Sequence, residues 1–522
     1  MKQLALSLVG RAAGVQALAP CMGIAGARKS MSTKAPKSTA KGEKAPAATK
    51  LFINGQFVES QTSEWMDVIN PATQDVVTRV PQSTAHELNE AAHSAQLAFK
   101  EWRRTSVLTR QRKMLDLQHA IRHNMDELAA SIVAEQGKVL ADARGDVQRG
   151  LQVVESMAGL PELMLGTKIE VSNGMDTYTV REPLGVVAGI CPFNFPAMIP
   201  LWMFPVALAT GNTCLLKPSE RDPGAAMILA RLCADVGIPP GVLNVVHGAH
   251  ATVDFLTADE RVRAVSFVGG DAAGRHRCMA LSVAVFVGAA AEWIPLIVER
   301  ARQLRVDGGL EPGADLGPLI SRQALQRAES LIQATADEGA AVLLDGRGVQ
   351  VAKYPQGNFL GPTVLDRVQP EMRGYREEIF GPVLACVRVD TMDEALALVN
   401  GNRYGNGASV FTRSGAAARD FQVRAEAGQI GINVPNPVPL PMFSFTGNKG
   451  SFLGDTNFYG RSGVSFYTQL KTITSHWRRE DEALAGKPAA QKQKPTPTPT
   501  PTQKHAKQKQ PSSSSVHMPV HS

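Results

Sequence analysis

Residues 213–268 alternate short apolar segments with a helical pattern, and this alternation constrains the fold more than any other feature of the chain. Thr213–Lys217 predicts a strand, Asp222–Val236 a helix, and Leu243–Val246 the next strand. A strand, a helix and a strand with such short connections form a βαβ unit, which implies a parallel sheet with covered faces. A third strand, Ala264–Val268, follows. The sequence therefore predicts an α/β fold in which a dinucleotide would bind at the carboxyl ends of the strands.

A local signal marks the start of a helix nearer the amino terminus. Thr84 is followed three residues later by Glu87, which is the pattern of a capping box. We predict that a helix begins there and runs to about Trp102.

The two ends of the chain carry its positive charge. Residues 1–50 hold nine Lys and Arg against the single acid Glu43, and residues 487–522 hold six Lys and no acid. Because the net charge of the whole chain is +7, about −7 remains on residues 51–486. The basic balance is thus no reason to expect a nucleic-acid partner. No apolar run reaches the roughly eighteen residues of a membrane span, so we expect no membrane association.

The two tails predict different roles. Residues 1–50 are basic, poor in acids and rich in Ala and Ser, as in organelle import peptides. We expect the mitochondrial matrix; a plastid is one alternative, and a disordered basic arm is the other. Residues 487–522 contain a Pro-Thr repeat and a run of serines, which predicts an extended tail without a function of its own.

The cysteines are scattered, and none belongs to a C-x-x-C pair; they are Cys21, Cys191, Cys214, Cys233, Cys278 and Cys386. This spacing argues against a zinc site or a disulfide framework and fits a reducing compartment. Most such cysteines are small buried apolar residues. Cys278 differs because it follows Arg277, whose charge favours the nucleophilic thiolate.

Signals for a cofactor lie at the predicted strand ends. Lys217 and Glu220 could hold the two ribose hydroxyls of an adenosine, although a surface ion pair is an equal alternative. The turn Gly269-Gly270 is a weak signal because glycine marks any tight turn, and no G-x-G-x-x-G motif is present near these strands.

Several segments, in their order, resemble aldehyde dehydrogenases over about residues 51–478. They are Pro192-Phe193-Asn194-Phe195-Pro196, Lys217-Pro218-Ser219-Glu220, Gly237-Ile238-Pro239 to Val246, Phe267-Val268-Gly269, Arg277-Cys278-Met279-Ala280 and Glu377-Glu378-Ile379-Phe380-Gly381-Pro382. The stretch from Asn433 to Gly460 resembles the CoA-acylating, methylmalonate-semialdehyde branch of that family.

The resemblance implies the aldehyde dehydrogenase fold. A Rossmann-like cofactor-binding domain is expected over residues 51–274 and an α/β catalytic domain over 275–435. Residues 436–486 are expected to return to the first domain and to supply a small arm that pairs with a neighbouring subunit in a homodimer or homotetramer.

The resemblance also implies a reaction with NAD and coenzyme A. The Cys278 thiolate would attack a small semialdehyde, and the side-chain amide of Asn194, with the Cys278 backbone N–H, would stabilise the oxyanion. Pro192 and Pro196 would stiffen the loop that carries this amide. The acyl group would pass to CoA with loss of carbon dioxide, giving propionyl-CoA or acetyl-CoA in valine and pyrimidine catabolism.

By the same resemblance, Arg277 and Arg149 would bind the substrate carboxylate; a plain surface role is the alternative for Arg149. No metal site is expected. Cofactor contacts are expected from Cys191, Phe193, Lys217, Glu220, Arg221, Gly269, Gly270, Glu378 and Phe380. Two of these depart from the family, because Cys191 stands where alanine is common and Gly270 replaces the usual serine.

One spacing departs strongly from the family. Cys278 follows Gly270 by eight residues, where aldehyde dehydrogenases have several tens. The absent segment would include a strand and the helix whose N-terminus faces the pyrophosphate. We therefore expect poor NAD binding and slow turnover, and the alternative to a working enzyme is a non-catalytic variant that keeps only its oligomerisation surface.

Overall fold

The first helix begins at the predicted capping box. The computed structural model describes residues 47–269 and 281–477, and helix α1 is Ala85–Trp102. The Oγ1 of Thr84 accepts from the Glu87 N–H at 3.2 Å, and Glu87 Oε2 accepts from the Thr84 N–H at 2.7 Å. The predicted helix and its start are confirmed.

The remaining elements follow in chain order. The strands are β1 (Leu51–Ile53), β2 (Gln56–Val58), β3 (Trp65–Ile69), β4 (Val76–Pro81), β5 (Lys168–Ser172), β6 (Met175–Pro183), β7 (Val186–Ile190), β8 (Thr213–Lys217), β9 (Leu243–Val245), β10 (Val262–Phe267), β11 (Val283–Val287), β12 (Ala341–Leu344), β13 (Thr363–Asp366), β14 (Val383–Val389), β15 (Gly407–Val410), β16 (Gln429–Ile432) and β17 (Thr468–His476). The helices after α1 are α2 (Val107–His123), α3 (Met125–Gln136), α4 (Leu140–Ser156), α5 (Leu160–Leu163), α6 (Met198–Ala209), α7 (Gly224–Asp235), α8 (His250–Ala258), α9 (Ile294–Arg302), α10 (Arg322–Asp337), α11 (Arg373–Arg376), α12 (Met392–Gly401), α13 (Gly415–Arg424) and α14 (Gly460–Phe466). Within residues 47–269 and 281–477, none of these helices has the length and apolar content to cross a membrane.

The largest sheet has the order β10-β7-β8-β9-β1-β2. Its strands β10, β7, β8 and β9 are parallel, as the βαβ pattern predicts, whereas β1 is antiparallel to both β9 and β2. The strand predicted over Thr213–Lys217 is confirmed as β8. The structure also contains β7, which the sequence pattern did not indicate and which lies between β10 and β8. Because β8 and β10 lie on opposite sides of β7, the strand order reverses at β7, and the carboxyl ends of β7 and β10 flank the crevice where ligands bind in such sheets.

Helix α6 is the centre of the core beneath this sheet. All twelve of its residues are buried, which is typical of a helix that is apolar on every side. It packs against α4, and both helices belong to a cluster that includes Phe445, Tyr459 and Tyr467. The carboxyl-terminal stretch therefore returns to the first part of the chain, and it brings these side chains next to α6.

A second sheet has its own core. The order is β11-β14-β13-β12, with β11, β14 and β13 parallel and β12 antiparallel. Apolar residues from β11, β13, β14, α9 and α10 form two clusters around it, separate from the cluster at α6. Two cores agree with two α/β lobes, while the domain boundaries at residues 274 and 435 remain predictions.

Contacts divide the described chain into two units. One contains residues 47–168, 178–269 and 281–473, and the other contains residues 169–177 with 474–477. Within the smaller unit, Trp477 Nε1 donates to Asp176 Oδ2 at 2.9 Å. Three apolar side chains of this unit are more than half exposed: Ile169, Val171 and Trp477.

Candidate active site

The loop of residues 191–197 leaves the sheet where the strand order reverses. The Val268 N–H donates to the carbonyl of Ile190 at 3.2 Å, which joins the ends of β10 and β7. On the other side, the Cys191 N–H donates to the carbonyl of Lys217 at 3.0 Å. Cys191 is buried and its Sγ lies 3.8 Å from the sulfur of Met203, so its thiol faces the core.

Asn194 lies in the middle of this loop, as the sequence predicts. Its carbonyl accepts from Lys138 Nζ at 2.7 Å, and its side-chain Oδ1 is buried. Among residues 47–269 and 281–477, no acceptor is bonded to its Nδ2 group. An amide whose N–H is not used by the protein is available to an oxyanion.

Lys217 and Glu220, the predicted ribose-binding residues, form a largely buried ion pair at the end of β8, whereas the alternative interpretation was a surface ion pair. The Lys217 Nζ lies 3.1 Å from Glu220 Oε2, and the lysine side chain is almost wholly buried. Burial alone would raise the pKa of Glu220, but the Lys217 ammonium and local hydrogen bonds outweigh burial and lower that pKa. A buried ammonium and an ionised carboxylate at a strand end fit the ribose hydroxyls of a dinucleotide, so these residues are compatible with NAD.

The predicted cofactor residues from the two parts of the chain meet at Phe193 and Phe380. Their ring centroids are 5.4 Å apart, edge to face. Glu378, another predicted cofactor residue, lies two residues before Phe380 and is half-buried. Arg221 is held by its backbone, because its N–H donates to Ser219 Oγ at 3.0 Å. Residues that lie almost two hundred positions apart in the chain thus come together, while their contacts with a cofactor remain predictions.

A small pocket that is partly open to solvent contains Arg149. Its lining consists of Arg149, Gln152, Val153, Trp202, Val438, Pro439, Pro441 and Tyr459. Burial lowers the pKa of Arg149, yet a guanidinium remains charged at neutral pH. Arg149 has no ion-pair partner among residues 47–269 and 281–477, so its charge is available to an anion.

Aromatic side chains form the wall of this cavity. The Trp202 ring lies 5.0 Å from both Phe445 and Tyr459, measured between centroids. Tyr459 has a backbone φ of 40°, which residues other than glycine rarely adopt, and its side chain is almost completely buried. The surrounding structure therefore holds Tyr459 in an unfavourable conformation at the cavity wall.

Three of the predicted site residues, Gly270, Arg277 and Cys278, lie outside the described residues. Gly269 is the last described residue before them and is exposed. The described cysteines are all buried. The described residues thus give the positions of Asn194, Arg149 and the pair Lys217 and Glu220, whose roles remain predictions, as does the position of the nucleophile.

Two residues of the site were not predicted from the sequence. Lys138 reaches the Asn194 carbonyl from the segment between α3 and α4, and Trp202 faces the cavity from α6. Local patterns do not reveal such contacts, because Lys138 and Asn194 are 56 positions apart. One local signal could have indicated Lys138: it directly follows Gly137, the glycine that ends α3 with a φ of 93°.

Comparisons with known proteins agree with this geometry. The profile of the Aldehyde dehydrogenase family matches residues 57–278 and 276–473. The methylmalonate-semialdehyde dehydrogenase [acylating], mitochondrial, of Arabidopsis thaliana is 52% identical over 515 positions, with 89% of this chain and 85% of the relative covered. The crystal structure of methylmalonate-semialdehyde dehydrogenase from Oceanimonas doudoroffii is 39% identical with a TM-score of 0.82, and covers 84% of this chain and 100% of that one. A Sinorhizobium meliloti 1021 protein crystallised with NAD is 37% identical with a TM-score of 0.82 and the same coverage.

The comparisons also bear on the short connection before Cys278. The alignment with the Arabidopsis relative has 515 positions but covers 89% of 522 residues, about 465, so about 50 positions of the relative have no counterpart here. The two profile matches meet at residues 276–278, which supports a missing segment at that place. On both sides of it the match is extensive, and the chain belongs to the aldehyde dehydrogenase family.

Proposed function

We propose that this chain is an NAD-dependent, CoA-acylating aldehyde dehydrogenase that oxidises and decarboxylates methylmalonate semialdehyde and malonate semialdehyde. The products are propionyl-CoA and acetyl-CoA, which places the reaction in valine and pyrimidine catabolism. The names of the Arabidopsis and Oceanimonas relatives support this substrate class.

The observation that carries the proposal is the unpaired charge of Arg149 in a cavity with aromatic and aliphatic walls. A half-buried guanidinium without a protein carboxylate favours a ligand that brings its own carboxylate. A semialdehyde acid has such a group at one end and the reactive aldehyde at the other. Arg277, beside the nucleophile in the sequence, is the proposed second arginine.

The chain's own residues perform the remaining steps. The Cys278 thiolate adds to the aldehyde carbon, and the Asn194 amide donates to the oxygen that becomes negative. The ion pair of Lys217 and Glu220 orients the adenosine ribose. When bound, NAD would supply the hydride acceptor for the reacting carbon, and Cys278 then holds the acyl group as a thioester. The substrate's β-carboxylate leaves that thioester as carbon dioxide, a proton takes its place on the adjacent carbon, and the CoA thiol displaces the Cys278 sulfur.

The test is an assay of the full chain with NAD, malonate semialdehyde and coenzyme A. We expect NADH and acetyl-CoA in equal amounts, together with carbon dioxide, and little turnover when CoA is omitted. Formation of a free acid at an equal rate without CoA would contradict the acylating reaction. A chain that forms no NADH under any condition would instead favour the non-catalytic alternative.

We also propose that residues 1–50 direct the protein to the mitochondrial matrix. The Arabidopsis relative is named mitochondrial, and the first fifty residues are basic and acid-poor. A fluorescent protein fused behind residues 1–50 should enter mitochondria, whereas the same fusion without them should not. A plastid or cytosolic signal would contradict this location.

The proposed assembly is a homodimer or homotetramer. The exposed apolar side chains Ile169, Val171 and Trp477 of the smaller unit give it a surface that a second copy could cover. Light scattering on the purified chain should give two or four times the monomer mass of 55.8 kDa. A monomer at micromolar concentration would contradict this assembly.

A further inference from the structure

Asn194 is held by a lysine through its backbone. Lys138 Nζ donates to the Asn194 carbonyl at 2.7 Å and to Asp146 Oδ2 at 3.0 Å. The same ammonium lies 4.3 Å from the centroid of the Phe195 ring, within the range of a cation–π contact. One side chain thus contacts two consecutive residues of the loop that carries the proposed oxyanion donor.

Asp146 ties this lysine to the beginning of α6. Its Oδ1 accepts from the Met198 N–H at 2.7 Å, and residue 197 at the N-cap position provides no side-chain cap of its own. The carboxylate therefore replaces a local cap, in which role its negative charge also suits the positive end of the helix dipole. Asp146 is completely buried, and 13% of the Lys138 side chain is exposed.

The backbone beside Lys138 is fixed by the second part of the chain. The Leu140 N–H donates to the carbonyl of Gly309 at 2.9 Å. A Cβ atom on Gly309 would lie 2.4 Å from the Lys138 carbonyl oxygen, and one on Gly317 would lie 2.0 Å from that of Gly137. Only glycine permits this close approach of the two backbones. The backbone of Lys138, from which its side chain extends, is therefore rigid.

We propose that Lys138, oriented by Asp146, is a positioning residue that fixes the backbone of Asn194 and thereby aims its amide at the oxyanion. This inference rests on the proposed function, because it assumes that Asn194 is the donor. A loop free to shift by about 1 Å would lower the rate of the chemical step roughly 100-fold without changing how the cofactor binds.

The test compares Lys138→Met with Lys113→Met in the full chain. Lys113 is a matched control because its Nζ also donates to a backbone carbonyl, that of Val236, at 2.7 Å. Two readouts are measured: amide hydrogen exchange in peptides that cover residues 192–198, and the single-turnover rate of NADH formation. We expect Lys138→Met to speed exchange in those peptides and to lower the single-turnover rate roughly 10- to 100-fold. Its dissociation constant for NAD should match that of Lys113→Met. Lys138→Arg, which keeps a cation beside the buried Asp146, should recover part of the rate.

Each outcome decides the matter. Unchanged exchange at residues 192–198 in Lys138→Met overturns the inference, as does an equal loss of rate in both methionine variants. If the unaltered chain forms no NADH, the proposed function fails, and the exchange measurement alone decides whether Lys138 fixes the loop. If the unaltered chain is active and Lys138→Met retains its full single-turnover rate, the proposed function stands and this inference falls.

Discussion

The cysteines show how surroundings separate an inert thiol from a reactive one. Burial raises the pKa of all four described thiols, to about 12 for Cys214 and Cys386, and burial likewise raises that of Cys191 and Cys233. Because the thiolate is the nucleophile, these four should be inert at neutral pH. The expectation from composition alone, that most of the cysteines are buried, is thus confirmed for these four.

We predict that Cys278 is the first residue that iodoacetamide modifies in the native protein. Its neighbour Arg277 favours the thiolate, whereas the four buried thiols are protonated and inaccessible. Mass spectrometry of peptides after brief labelling measures this order, and Cys278→Ala should abolish thioacyl formation. Equal labelling of Cys191 or Cys386 would show that the assignment is wrong.

At the cavity, Arg149→Met should weaken activity toward a carboxylate-bearing aldehyde only. Loss of a charge-assisted hydrogen bond of about 1.5–3 kcal/mol corresponds to a decrease of roughly 10- to 100-fold in kcat/KM. Propanal, which has no carboxylate, should be used equally well by the variant and the unaltered enzyme. Arg144→Met is the control, since Arg144 lies on the same helix but pairs with Asp126 at the surface. An equal loss with both aldehydes would contradict a role in binding the carboxylate.

Secondary structure elements were predictable where the signal is local. The β8 strand and the start of α1 follow from an apolar run and a capping box, both contained within a few residues. Helix α7 begins at Gly224, two residues after the predicted Asp222. The reason is that a residue distant in the sequence accepts the first N–H of the helix: Glu135 Oε2 accepts from the Gly224 N–H at 2.8 Å. Strand β10 begins at Val262 instead of Ala264, since pairing with β7 defines it and no local pattern marks that edge.

Glu135 makes the stability of α7 dependent on pH. Burial raises its pKa to about 7, although the Gly224 N–H acts in the opposite direction. The pKa in the unfolded chain is near 4.5. The contribution of Glu135 is therefore fully present below about pH 4.5 and is lost as the pH rises through 7, where the folded protein must hold a buried carboxylate.

We predict that Glu135→Gln stabilises the protein at pH 8 but not at pH 4.5, where the unaltered side chain is neutral as well. The amide keeps an acceptor for Gly224, so the gain at pH 8 should be on the order of 3 kcal/mol. Melting temperatures measured across this range should diverge between the variant and the unaltered protein. Glu127 lies at an exposed position on α3, the helix that also contains Glu135, and the melting temperature of Glu127→Gln should not diverge from that of the unaltered protein in this way. A constant difference at every pH would contradict the buried-carboxylate argument.

At the scale of the whole molecule, the site depends on contacts that the sequence does not order by itself. Lys138, Asn194 and Phe380 lie in different segments, and only the fold brings them together. The resemblance supplied Asn194, Arg149 and the cofactor residues because those positions belong to extended motifs. It gave no role to Lys138 or Trp202, whose importance arises from packing across the core.

The final prediction concerns the segment that this chain lacks relative to its family. In the described residues, β10 is the outer strand of its sheet and pairs only with β7, and Phe267 at its end is 45% exposed. By resemblance, the absent segment contains the next strand and a helix N-terminus that meets the pyrophosphate with oriented N–H groups. Lys217 and Glu220 remain, so the adenosine half keeps its contacts while the nicotinamide end loses restraint.

Insertion of the Arabidopsis relative's corresponding segment between Gly270 and Cys278 should therefore tighten NAD binding roughly 10-fold. Turnover should rise more than affinity, by about 100-fold, because hydride transfer requires contact distance at the reacting carbon. A Gly-Ser linker of equal length should improve neither quantity, since it supplies chain without oriented amides or a strand. Calorimetric titration with NAD and the NADH assay measure both effects, and equal values for the unaltered and restored chains would show that residues 270–280 already provide what the longer segment does.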